Sequence, residues 1–199
     1  ERGEITAHHR GNGSSIDMRA AKTTSRLCAR LFWPVALPLL LVSYSYGQNP
    51  VQQLQQRISI DQKLGDQLPL NLEFADENGK IVQLRDYFGE KPIVLTLVYY
   101  DCPMLCTQVL TSLLRAMNVL TFGIGTEFDV LTISIDPGET PELATAKKAE
   151  YMKNYRGRDG STGWHFLTGK QAQIEQLASA VGFRYEYDEA TDQYIHASG

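Results

Sequence analysis

The sequence predicts an α/β fold, a central mixed sheet flanked by helices. Three observations predict it. Apolar, β-branched runs alternate with helical periodicities through the second half of the chain. A short alternating hairpin precedes them. The helical segments carry their own punctuation, proline and threonine at one start, glycine at the stops. With 199 residues, 43% of them apolar and 21% charged, the chain can bury one domain-sized core.

The elements follow in order. "LPLNLEFADENGKIVQLRDYFG" reads as a hairpin, with "LNLEF" outward, "DENG" turning and "KIVQL" returning. "KPIVLTLVYY" is a β-branched run typical of a strand buried on both faces. After Cys102, Leu105, Val109, Leu113, Ala116 and Leu120 recur at helical spacing, and Gly123 and Gly125 stop that helix. "EFDVLTISID" is a second buried strand. In "PGETPELATAKKAEYMKNY", Thr140 can cap a helix and Pro141 suits its first turn. "WHFLTG" is a short strand, "KQAQIEQLASAVG" a helix ended by Gly182, and "FRYEYD" another strand. The chain ends at "YIHASG", on the approach to a further strand. A sheet of this kind wants a closing strand and helix, so the expectation is a domain cut short at its C-terminus.

The N-terminal part reads differently. Residues 1–17 look like translated sequence upstream of a true start at Met18. Arg19, Lys22, Arg26 and Arg30 then precede "LFWPVALPLLLVSY" and the small-residue stretch before Gln48. That is the pattern of a cleaved export signal over residues 18–47, with cleavage near Gly47. An N-terminal membrane anchor is the alternative, but the apolar run is short and Pro34 and Pro38 interrupt it. Residues 48–66, rich in glutamine, read as a linker, and residues 67–199 as the domain. Cys28 belongs to the basic region before the apolar run and is expected to be discarded. From Gln48 onward the chain carries 13 basic and 20 acidic residues, which speaks against nucleic acid or an anionic membrane surface as partner.

Export leaves Cys102 and Cys106 in a compartment where disulfides persist. Cys102 falls where a strand becomes a helix. Unpaired N–H groups and the positive end of the dipole there favour a thiolate, so its pKa should fall. Pro103 fixes the first turn without wasting a donor. Cys106, four residues on, projects from the same face, with Cα atoms about 6 Å apart. That spacing suits a disulfide or two thiolates gripping one soft metal ion. A purely structural disulfide closing so short a loop would stabilise little.

"CPMLC", followed by "SIDPGETPE", "FLTG" and "LASAVGFRYEY", resembles the SCO1/SenC family of copper proteins from about residue 60 to the end. The resemblance implies a thioredoxin-like fold, with copper, as Cu(I) or Cu(II), bound by Cys102, Cys106 and His196. It implies an exported, periplasmic copper chaperone, free or anchored to the inner membrane, that serves a respiratory oxidase copper site. Its partners would be the oxidase subunit carrying that site and a thiol reductant. Thr107 stands where many members have proline, and Ile195 where many have an aspartate beside the histidine. The missing acid removes one way of orienting the imidazole. Met104 could offer a thioether but more naturally packs or faces solvent. The competing reading is a thiol–disulfide oxidoreductase, with Cys102 attacking and Cys106 resolving. A peroxidase is the weakest, since no arginine is placed to polarise a peroxide. His165, in "GWHFL", reads as a packed residue, as do Tyr99 and Tyr100. Asp101 would disfavour a Cys102 thiolate if it faced the sulfur.

Overall fold

The computed structural model describes residues 56–103, 105–157 and 160–197. Met104 and the segments read above as upstream sequence and export signal, with His8, His9 and Cys28, lie outside the described residues. Among the described residues no helix is long and apolar enough to cross a membrane.

The strands are β1 (Ser59–Ile60), β2 (Glu73–Ala75), β3 (Ile81–Gln83), β4 (Ile93–Val98), β5 (Asp129–Ser134), β6 (Trp164–Leu167), β7 (Phe183–Asp188) and β8 (Gln193–His196). The helices are α1 (Leu105–Val119), α2 (Pro141–Met152) and α3 (Gln171–Val181). The elements alternate as expected. The mixed sheet, however, is divided. Strands β4, β5 and β6 form a parallel ladder in that order, while β1, β7 and β8 form a separate antiparallel one and β2 pairs with β3. The last residues of the expected linker are structured: Ser59 and Ile60 pair with Arg184 and Phe183.

Burial follows from strand position. β5 lies between two parallel neighbours and is buried along Val130–Ser134. β4, expected to be buried on both faces, is half-buried from Ile93 to Leu97 and fully buried only at Val98. The reason is that β4 pairs with β5 alone among the described strands. Its other side faces a groove of about 350 Å³ lined by Leu95, Leu97, Val109, Phe183 and His196.

Trp164, Phe166 and Phe74 fill the centre at 0%, 0% and 2% exposure. Burying each such aromatic contributes on the order of 2–3 kcal/mol. A polar edge of that core is satisfied. The Trp164 indole N–H and the Thr96 hydroxyl both donate to the Thr132 hydroxyl oxygen at 2.9 Å.

Helix α1 buries Cys106, Leu110, Leu114 and Met117. The apolar positions Leu105, Val109 and Leu113 are only half-buried, and Leu120 is exposed. Apolar residues occur on both stripes, so periodicity alone does not choose between them. Burial in the core selects the stripe that begins with a thiol. Helix α2 starts as its sequence dictates: the Leu143 N–H donates to the Thr140 hydroxyl and Pro141 occupies the first position. Helix α3 ends at Gly182, whose φ of 74° is left-handed.

Candidate metal centre

Strand β4 delivers Tyr99, Tyr100, Asp101 and Cys102 to the start of α1. Neither cysteine is in a disulfide and both are buried, Cys102 at 8% exposure and Cys106 at 1%. The Cys106 N–H, one of the orphan donors at the helix start, donates to the Cys102 sulfur at 3.3 Å. The Tyr99 N–H donates to the Cys106 sulfur at 3.4 Å. Burial pushes the Cys106 thiol up to about 12, and the adjacent Cys102 side chain adds to the rise. Cys106 therefore carries its hydrogen at neutral pH.

That hydrogen has an acceptor. The Cys106 sulfur lies 3.2 Å from Nε2 of His196. His196 is buried at 7% exposure. It stands in β8, not in a turn leading to a strand, and pairs in register with Tyr185 of β7. Its other ring nitrogen, Nδ1, lies 2.9 Å from the Ala197 carbonyl oxygen. A carbonyl only accepts, so Nδ1 carries the hydrogen and Nε2 turns its lone pair to the sulfur. The backbone thus supplies the orientation that an aspartate at position 195 would otherwise give. Among the described residues no three His, Cys, Asp or Glu side chains are drawn together closely enough to grip a metal ion. Cys106 and His196 meet directly, and Cys102, in the segment before α1, has its sulfur on the Cys106 N–H.

Sequence reasoning missed Glu139. Its carboxylate accepts the backbone N–H of Tyr100 at 2.8 Å, the N–H of Asp101 at 2.7 Å and the Ser134 hydroxyl. It clamps the two residues that lead into Cys102. Burial raises its pKa above the ordinary carboxylate value, against the pull of those three donors. The signal was present in "DPGETPE", since a glutamate after a strand-ending Asp-Pro-Gly turn falls at the sheet end that carries the thiols.

Other candidates lie elsewhere. His165 lies 4.7 Å from the Tyr87 ring at a tilt of 52°, with Nδ1 3.6 Å from the Glu77 carboxylate, in a cluster with Lys148. It packs, as expected. Asp101 and Thr107 are exposed. The Tyr100 hydroxyl donates to the Leu167 carbonyl at 2.7 Å and lies 3.1 Å from that of Thr132, a core role.

The sequence model of the SCO1/SenC family matches residues 61–198. The chain belongs to the SCO1/SenC family. A comparison with curated proteins found no match. Among solved structures, this SCO1/SenC chain is similar to a protein from Aquifex aeolicus VF5 described as a candidate electron transfer protein. That match has 30% identity and a TM-score of 0.57, over 67% of this chain and 74% of that one. It bears out the thioredoxin-like α/β fold. ScoI of Arabidopsis thaliana, solved with copper bound, is 24% identical with a TM-score of 0.47, over 62% of this chain and 72% of that one. BsSco, described as a member of the Sco family of cytochrome c oxidase assembly proteins, is 22% identical with a TM-score of 0.46, over 71% and 77%.

Proposed function

We propose that this SCO1/SenC chain is an exported copper-binding chaperone that holds one copper ion through Cys102, Cys106 and His196. One observation carries the reading: the His196 ring, with Nδ1 2.9 Å from the Ala197 carbonyl oxygen, presents Nε2 to the Cys106 sulfur at 3.2 Å. Two thiolates and one imidazole are a soft donor set suited to Cu(I). Cys102 completes the set by turning its side chain toward the same point, from one turn away. The cargo displaces the thiol hydrogens, so loading releases protons. Family membership supports a respiratory oxidase copper site as the destination and a thiol reductant to keep both cysteines reduced. Residues 18–47 direct export to the periplasm, by cleavage or as an anchor in the inner membrane, and residues 67–199 carry the domain.

Copper titration of the reduced chain tests this reading. The expected result is about one copper per chain, with a sulfur-to-copper charge-transfer band for Cu(II). Replacement of either cysteine by serine should abolish that band. His196→Ala should shift it and weaken binding without unfolding the domain. Unchanged affinity and spectrum in His196→Ala would remove the histidine from the site and favour a thiol–disulfide oxidoreductase, in which Cys102→Ser loses activity and His196→Ala keeps it.

A further inference from the structure

Past the end of β4, three successive backbone N–H groups find side-chain acceptors. That of Tyr99 donates to the Cys106 sulfur at 3.4 Å. Those of Tyr100 and Asp101 donate to the two oxygens of Glu139, at 2.8 Å and 2.7 Å. Cys102 follows, between the end of β4 at Val98 and the start of α1 at Leu105, outside both elements. From the α1 side it is held by its sulfur, which accepts the Cys106 N–H at 3.3 Å, and by its carbonyl, which accepts the Thr107 hydroxyl at 3.4 Å. From the other side the Glu139 carboxylate holds the two residues before it. That carboxylate is itself fixed. It accepts the hydroxyl of Ser134, buried at the end of β5, whose oxygen in turn accepts the Asp136 N–H at 3.0 Å. Two carboxylate oxygens thus take three donors, and bonds to a charged acceptor are the strong ones.

We propose that Glu139 is a positioning residue for the thiol pair: anchored by Ser134, it holds the strand-to-helix loop so that the Cys102 sulfur stays in reach of Cys106, and thereby sets the balance between dithiol and disulfide. The inference deepens the reading of the site given above and rests on its pairing of the two thiols. On oxidation by glutathione disulfide the Cys102 and Cys106 S–H bonds break and one S–S bond forms. The two electrons and two protons turn glutathione disulfide into two glutathione thiols. The position of that equilibrium measures how well the protein holds one thiol at the other. With the clamp in place the loop is already ordered in the dithiol, so closing the S–S bond orders little more. Without it the dithiol gains a loop freedom that the disulfide withholds, and the balance moves toward the dithiol. Glu139 touches neither sulfur among its printed hydrogen-bond partners and acts through the backbone of Tyr100 and Asp101.

The test is Glu139→Ala in the metal-free chain, equilibrated in glutathione buffers of graded ratio and read by alkylation and mass spectrometry. The expected result is an equilibrium moved about tenfold toward the dithiol, about 30 mV for a two-electron couple. Glu139→Gln, whose amide oxygen still accepts N–H groups, should move it the same way by less. Ser134→Ala, which leaves the carboxylate but removes its anchor, should do likewise, and these two variants carry the test if Glu139→Ala does not fold. Glu77→Gln, which removes a buried charge in the separate cluster with Lys148 and His165, should leave the equilibrium where it was. Equal equilibria for the parent and the Glu139 variants overturn the inference. So does an equal shift in Glu77→Gln, which would trace the effect to lost stability, or a parent whose thiols never pair. Because no metal is present, a parent that fails to bind copper yet shows the Glu139 shift defeats only the copper reading. A parent that binds copper but shows no Glu139 shift defeats only this inference.

Discussion

The Cys106 sulfur and the His196 Nε2 meet at 3.2 Å although 90 residues separate them in the chain. The thiol is held by the first turn of α1 and the imidazole by the β7–β8 hairpin, in register with Tyr185. The two elements do not pair with each other, so the contact depends on how each is anchored. Gly182 and Glu139 are two of those anchors.

Gly182 begins the hairpin. Its φ is 74°, and a Cβ there would stand 2.0 Å from the Asp61 carbonyl oxygen. Its own carbonyl accepts the Asp61 N–H at 2.7 Å, tying β1 to β7. Gly182→Ala should lower stability by about 1–3 kcal/mol, measured as a fall in the denaturant midpoint. Copper affinity should fall with it, because the hairpin that carries His196 is displaced. A variant with full stability would show that the turn tolerates a side chain.

Glu139 holds the loop before Cys102. Glu139→Ala strands the N–H groups of Tyr100 and Asp101, which should cost about 2–3 kcal/mol for lost bonds to a charged acceptor. Amide hydrogen exchange at positions 100 and 101 should accelerate selectively, with exchange in β5 far less changed. Uniform acceleration across the domain would mean that Glu139 supports the fold and not the loop.

Glu77 makes stability depend on acid. Burial alone would raise its pKa, but the nearby His165 ring and the Lys148 ammonium outweigh that and hold it at about 2, against 4.5 ordinarily. A depressed carboxylate contributes stability that is full above the unfolded value and is lost as pH falls toward the folded one. Urea midpoints should therefore drop between about pH 4.5 and about pH 2. In Glu77→Gln the protein should be less stable at neutral pH, by about 2 kcal/mol, and that acid slope should flatten. An unchanged slope would place the acid sensitivity elsewhere.

The two thiols should pair. Neither Cys102 nor Cys106 is in a disulfide, and the Cys106 N–H lies 3.3 Å from the Cys102 sulfur. Mild oxidation should lower the mass by two hydrogens, reversibly on addition of a thiol reductant, and the oxidised chain should take up no copper. If both thiols remain open to alkylation after oxidation, their sulfurs cannot reach each other and the shared site is wrong.

Much of this was legible along the chain. The order of strands and helices, the Thr140 cap, the Gly182 stop and the two thiols one turn apart all follow from local rules, because caps, turns and periodicities involve residues a few positions apart. What was misread depends on neighbours distant in sequence. β4 looked buried on both faces because an apolar run does not say how many strands flank it. The buried stripe of α1 was ambiguous because Leu and Val occupy both candidate stripes. Glu139 passed unnoticed because its partners, Tyr100 and Asp101, lie nearly forty residues upstream.

The amino-acid sequence by itself determined the thiol pair: it puts Cys102 after the strand end and Cys106 in the first turn of the helix, wherever the rest of the chain goes. Tertiary structure alone decided what faces them. The histidine's orientation comes from the carbonyl of Ala197 and not from an acidic neighbour. The reason is physical. A helix start is set by bonds that close within four or five residues, whereas the Cys106–His196 contact forms only when a hairpin and a helix are packed into one body, at a loop-closure cost that no local pattern records.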